Sequence, residues 1–210
     1  MPVIVVANPK GGVGKSTLAT NIAGLYARQG HAVMLGDVDR QQSSRQWLAL
    51  RPDAAPRIQN WELVGDSTLK APKGVTHMVL DTPAGMHGKL LDAVMRIADR
   101  LLIPLQPSLF DIQATHSFIN AVRDHKRGSD VDLAVVGMRV KEHTISNDQL
   151  HQFLATLKLP VLGYLRDTQN YVHVAARGLT LWDVTPSRVE RDLEQWQGIC
   201  RWLDKATLRG

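Results

Sequence analysis

Asn8-Pro9-Lys10-Gly11-Gly12-Val13-Gly14-Lys15-Ser16-Thr17 is the stretch that decides the fold. A short apolar run, Val3-Ile4-Val5-Val6, precedes it and suits a buried strand. After it, Leu18, Ile22, Leu25 and Tyr26 recur at helical spacing. Glycines set between a strand and a helix are the context that a phosphate-binding loop requires. Gly11, Gly12 and Gly14 let the backbone curl so that N–H groups of the run converge on phosphate oxygens. The helix opening near Lys15 adds partial positive charge at the same place. Lys15 can reach β- and γ-phosphates, and the Ser16 hydroxyl can ligate Mg²⁺. The candidate phosphate cradle is therefore Lys10, Gly11, Gly12, Val13, Gly14, Lys15, Ser16 and Thr17.

Outward from that loop, apolar runs alternate with helical stretches. Strands are predicted at residues 2–7, 32–37, 77–81, 100–104, 132–138 and 161–165. Helices are predicted at residues 16–29, 42–50, 89–98, 113–124, 147–157 and 187–205. Near-continuous apolar strands separated by helices imply an α/β fold, a mostly parallel twisted sheet with helices on both faces. Ligands in such sheets sit beyond the carboxyl ends of the strands. Gly14, Asp39, Asp81 and Pro107 all follow a strand's carboxyl end and are expected to converge on one site. Residues 51–74, rich in proline, glycine and polar groups, read as a peripheral excursion. No repeat, linker or low-complexity tract divides the chain, so residues 1–210 are expected to form a single domain.

The chain has 210 residues, 44% hydrophobic and 21% charged, which is ordinary globular composition and argues against disorder. Its one cysteine, Cys200, excludes an internal disulfide and a cysteine-rich metal site, and fits a reducing cytoplasm. Eight histidines show no paired ligand spacing, which argues against a transition-metal centre; His116, His143, His151 and His173 read as surface or helix-face residues. No run has signal-peptide form or approaches the length of a membrane span, so a soluble protein is expected. A formal charge of +5 leans toward a polyanionic partner. No lysine-arginine block or RNA-binding aromatic motif supports sequence-specific reading, so contact with phosphates is the expectation.

Asp81 ends an apolar strand, where a carboxylate can hold Mg²⁺ through water, and Asp37 is placed to do the same. Asp39 lies just beyond its strand, where it can orient or deprotonate an attacking water. Each could instead be a strand-end carboxylate that caps the next helix. Three of them behind a strong phosphate-binding loop favour the catalytic reading.

Lys10 supplies a second lysine, and Lys10-Gly11-Gly12-x-Gly14-Lys15-Ser16 resembles the deviant Walker A motif of the ParA/MinD family of P-loop NTPases. Asp37-Val38-Asp39-Arg40-Gln41 is similar to the family's Asp-x-Asp-Pro-Gln. Met78-Val79-Leu80-Asp81-Thr82-Pro83 resembles its Walker B strand, and Ile103-Pro104-Leu105-Gln106-Pro107-Ser108 with Asp111 resembles its next strand and loop. The resemblance is dense to about Asp111 and thin beyond it, and the length is similar to that of short, plasmid-type ParA proteins. It implies a Mg²⁺-dependent ATPase that forms a homodimer on ATP, with Lys10 reaching the partner subunit's nucleotide. It further implies nonspecific DNA binding, an adaptor protein that stimulates hydrolysis, and a cytoplasmic, nucleoid-associated role in segregating a plasmid or positioning a large cargo. A microcompartment or chemosensory cluster is such a cargo.

The sequence departs from the family pattern at Arg40, where the family has proline; the switch is then less rigid, or the basic residue faces nucleotide or partner. In the region that contacts adenine stands Gly137-Met138-Arg139. Met138 and Arg139 are candidate base contacts, with a surface position as the alternative for Arg139. Pro107 walls the base or simply makes a turn. By resemblance, Arg166, Arg177, Arg188, Arg191, Arg201 and Lys205 are the candidate DNA contacts, unless neighbouring carboxylates neutralise them. The MinD branch ends in a membrane-binding helix, and Val189, Leu193, Trp196, Cys200 and Leu203 form an apolar stripe here. Acidic Glu190, Asp192, Glu194 and Asp204 oppose anionic lipid, so core packing is the expectation and no membrane contact is predicted. The remaining alternative is a metabolic P-loop enzyme of the dethiobiotin synthetase type.

Overall fold

A computed structural model describes residues 1–61, 73–141 and 144–205, with the backbone alone at 109–112. Its strands are β1 (Val3–Val6), β2 (Val33–Asp37), β3 (Ile58–Trp61), β4 (His77–Asp81), β5 (Arg100–Leu105), β6 (Asp132–Val140) and β7 (Val161–Arg166). They form one sheet in the order β3-β2-β4-β1-β5-β6-β7, parallel at every pairing. Its α-helices are α1 (Lys15–Arg28), α2 (Ser43–Ala49), α3 (Gly88–Ile97), α4 (Leu109–Arg123), α5 (Ile145–Thr156), α6 (Gln169–Ala175) and α7 (Glu190–Leu203).

Side chains alternate across a strand, and in β1 that alternation feeds two cores. Ile4 and Val6 join Leu18, Ile22, Trp47, Trp196 and Ile199 on the face covered by α1, α2 and α7. Val3 and Val5 join Met95, Leu101, Ile119, Leu150 and Leu154 on the face covered by α3, α4 and α5. With both faces covered, every residue of β1 and β5 is buried, which explains the apolar runs at residues 3–6 and 101–105. Burial of each such side chain contributes about 1.5–3 kcal/mol.

Helix α7 lies so close to the sheet that a Cβ on Gly198 would sit 1.8 Å from the Leu162 carbonyl oxygen. Trp196, Ile199, Trp202 and Leu203 bury its apolar side, and Trp196 Nε1 donates to the Tyr171 hydroxyl at 2.9 Å. The stripe read from the sequence thus packs on the sheet. Among the described residues no helix is long and apolar enough to cross a membrane.

Two elements escape the periodicity analysis. Residues 51–74 do not form an excursion throughout, because β3 pairs with β2 as an edge strand; residues 62–72 of that stretch lie outside the described residues. Helix α6 is also absent from the predicted set; Thr168 caps its start by accepting from the Asn170 amide. Helix α4 begins at Leu109 rather than near residue 113, and α7 begins at Glu190 rather than near residue 187. His143 lies outside the described residues, as does the side chain of Asp111.

Candidate functional site

Strand register brings the site together. Val6 stands opposite Asp81 across β1 and β4, and Asp81 opposite Asp37 across β4 and β2. The loop after β1 and the two carboxylates therefore emerge side by side at the carboxyl edge of the sheet, where open α/β sheets bind ligands. A cavity of about 670 Å³ opens there. Its walls are Gly11, Gly12, Gly14, Lys15, Ser16 and Thr17 from the first loop, Val38 to Gln41 and Ser43 after β2, Pro83 to Gly85 after β4, Leu90 of α3, and Arg139 of β6.

The loop after β1 is held from several sides. Asn8 Nδ2 donates to Pro104 O at 2.8 Å and to Thr115 Oγ1 at 3.0 Å, while its Oδ1 accepts from the Lys10 amide at 2.8 Å. Gln106 Nε2 donates to Gly12 O at 2.8 Å, and the Gly85 amide donates to Pro9 O at 2.8 Å. Gly14 takes φ +95°, left-handed backbone that a side chain would strain. Lys15 Nζ donates to Lys10 O at 2.7 Å, so the loop curls around its own ammonium group. Burial lowers the Lys15 pKa, and the carboxylates of Asp81 and Asp39 oppose that shift.

Asp81 is the buried acid of the site, with 1% of its surface exposed. Its Oδ2 accepts from Ser16 Oγ at 2.6 Å and from Ser44 Oγ at 2.8 Å, while its Oδ1 has no hydrogen-bond partner. Desolvation pushes its pKa up to about 6, against the pull of the two serine hydrogen bonds. An unpartnered buried carboxylate oxygen beside a serine hydroxyl is a hard-oxygen donor set, and it fits Mg²⁺. Asp37 is engaged differently. It accepts from the amides of Asp39 at 2.9 Å, Ser44 at 2.8 Å and Arg45 at 3.3 Å, and so caps the first turn of α2. Asp39 lines the cavity and accepts from the Gln41 amide at 3.0 Å through one oxygen.

Of the candidate base contacts, only Arg139 borders the cavity. It sits at a register shift of β6 with φ +50° and is exposed, as a bulge that re-aims a side chain would make it. Met138 does not line the cavity; it is buried, and its Cε lies 2.6 Å from where a Cβ on Gly14 would be. Pro107 does not line the cavity either, and Val13 is fully buried behind the loop. Arg166 pairs with buried Asp192 at 2.5 Å, whereas Arg177, Arg188, Arg191, Arg201 and Lys205 are exposed. Three polar side chains of the site, Asn8, Ser44 and Gln106, were not singled out by the sequence reading. Gln106 stands in the quoted loop after β5, but Ser44 lies in a polar run with nothing to separate it from Ser43.

Residues 4–181 match the CobQ/CobB/MinD/ParA nucleotide binding domain, and the chain belongs to that family. It is 35% identical over 113 residues to "Maintenance of carboxysome distribution protein A" of Gloeobacter kilaueensis, covering 52% of this chain and 51% of that protein. The protein of the same name from Halothiobacillus neapolitanus is 26% identical over 172 residues, with 76% of each chain covered. The chain thus spans about half of the first relative's length and three quarters of the second's. Among solved structures, the MinD cell division protein of Aquifex aeolicus superposes with a TM-score of 0.75 at 19% identity, over 100% of both chains. At that identity the likeness is one of fold.

Proposed function

We propose that this chain is a ParA-type, Mg²⁺-dependent ATPase that dimerises on ATP, binds DNA without sequence preference and positions a large cargo. The observation that carries the reading is Ser16 Oγ at 2.6 Å from Asp81 Oδ2, beneath a loop curled around Lys15. In this reading the loop amides and Lys15 bind the β- and γ-phosphates. Ser16 and Asp81 would hold Mg²⁺, which neutralises developing phosphate charge when bound. Asp39 orients the attacking water, and Asp37 fixes the turn that carries Asp39 through its bond to the Asp39 amide. Lys10 reaches the nucleotide of the partner subunit. Exposed cations of the C-terminal half contact DNA phosphates, and an adaptor protein accelerates hydrolysis on the nucleoid.

The names of the two carboxysome-distribution relatives support a cargo-positioning role, with plasmid segregation as the related alternative. Burial of the apolar side of α7 weighs against a MinD-like membrane role. Co-sedimentation with ATP and Mg²⁺ separates these readings. Retention on nonspecific duplex DNA but not on anionic vesicles is expected, and the reverse result would replace this reading with the membrane one.

A further inference from the structure

Arg40 stands in the turn between Asp39 and Gln41, and its side chain is exposed on the cavity wall. It makes no hydrogen bond or ion pair among the described residues. The turn around it is closed by the Gln42 amide on Asp39 O at 3.0 Å and the Gln41 amide on Asp39 Oδ1 at 3.0 Å. Those bonds fix the backbone without proline and leave the guanidinium unused.

Sheet order decides which end of a nucleotide this cation would meet. The loop after β2, which carries Arg40, lies on the β4 side of β1, and Arg139 of β6 lies on the opposite side. Four strand steps separate β2 from β6, about 19 Å. Ser16, Lys15 and Asp81 mark the phosphate end, and Asp81 belongs to the strand next to β2. An extended nucleoside triphosphate bound along this edge would therefore lie with its terminal phosphate toward Arg40 and its base toward Arg139.

We infer that Arg40 binds the terminal phosphate of the nucleotide and so ties the Asp39-bearing turn to the presence of that phosphate. The inference rests on the ATPase reading above. Arginine suits the role because its planar fork binds phosphate oxygens in pairs through charge-assisted hydrogen bonds. With a diphosphate bound, Arg40 has nothing to hold, and the turn keeps only its own hydrogen bonds.

Calorimetric titration with ADP and with a non-hydrolysable ATP analogue, both with Mg²⁺, tests the assignment in wild type, Arg40→Ala and Arg40→Lys. Arg40→Ala is expected to weaken the analogue about tenfold while leaving ADP within about twofold. Arg40→Lys should recover part of the loss through its point charge. Equal weakening of both nucleotides, or no change in either, overturns the terminal-phosphate assignment while wild-type binding leaves the ATPase reading intact. A wild-type protein that binds neither nucleotide overturns both.

Discussion

Arg166 Nε donates to Oδ1 of Asp192 across 2.5 Å, and Asp192 has no exposed surface. Asn170 Nδ2 donates to the other carboxylate oxygen at 2.6 Å, so the buried acid joins β7, α6 and α7. The pair gives Arg166 a structural role that exposed Arg188 and Arg201 do not share. Arg166→Glu would place a second carboxylate against a buried one, and a loss of about 3–5 kcal/mol is expected. Urea unfolding checks this, with Arg188→Glu and Arg201→Glu expected to stay within about 0.5 kcal/mol of wild type. An Arg166→Glu midpoint equal to wild type would show the pair to be dispensable.

DNA affinity should therefore respond to the exposed cations. Phosphate contacts release counterions, so the logarithm of affinity falls linearly with the logarithm of salt concentration. In the presence of ATP, Arg188→Glu and Arg201→Glu should each weaken binding and flatten that slope by about one unit for every phosphate no longer neutralised. Slopes unchanged in both variants would move the interface elsewhere on the surface.

Asp39 borders the cavity without taking part in the Ser16–Asp81–Ser44 network. Asp39→Ala should leave ATP binding intact and slow phosphate release about a hundredfold or more, the usual scale of a lost general base. Lys15→Gln should abolish nucleotide binding itself. Phosphate release from Asp39→Ala at the wild-type rate would make that carboxylate structural.

The strand–loop–helix at the start of the chain was legible because glycine placement and apolar runs are local signals. The same holds for β4 and β5, whose buried apolar residues run unbroken at 78–80 and 101–105. Strand β3 was not legible. As an edge strand it leaves Gln59 half-buried and Asn60 exposed, and only Ile58 and Trp61 are buried. Helix α6 is short and half exposed, with Val174 its one buried residue among those described. In the site, the acidic positions followed from strand ends, but the division of labour did not. Asp37 caps α2 and Asp81 faces Ser16 because of side-chain directions that residue order does not encode. Likewise Asp192 was visible as one of several carboxylates near Arg166, and only packing of α7 on β7 selects it.

At the opposite end of the sheet, His77 stacks on Tyr26 and His31 with ring centroids 4.2 and 4.0 Å away. Burial, followed by the neighbouring His31, lowers its pKa from 6.5 to about 4. Between those values the unfolded chain takes up a proton that the native His77 refuses, so this residue's contribution to stability falls as pH drops from about 6.5 toward 4. His77→Phe keeps the stacking and removes the titration. Its melting temperature should decline less than that of wild type between pH 7 and pH 5, and parallel declines would assign the acid sensitivity to other groups.

Light scattering of wild type and Lys10→Ala with ADP, and with a non-hydrolysable ATP analogue, both with Mg²⁺, tests the central claim most directly. Wild type should double its mass with the analogue and remain monomeric with ADP, because in the proposed dimer the γ-phosphate would complete a contact with Lys10 of the other subunit. Lys10→Ala should stay monomeric in both. Identical masses for both proteins in every nucleotide state would contradict an ATP-driven dimer built on Lys10.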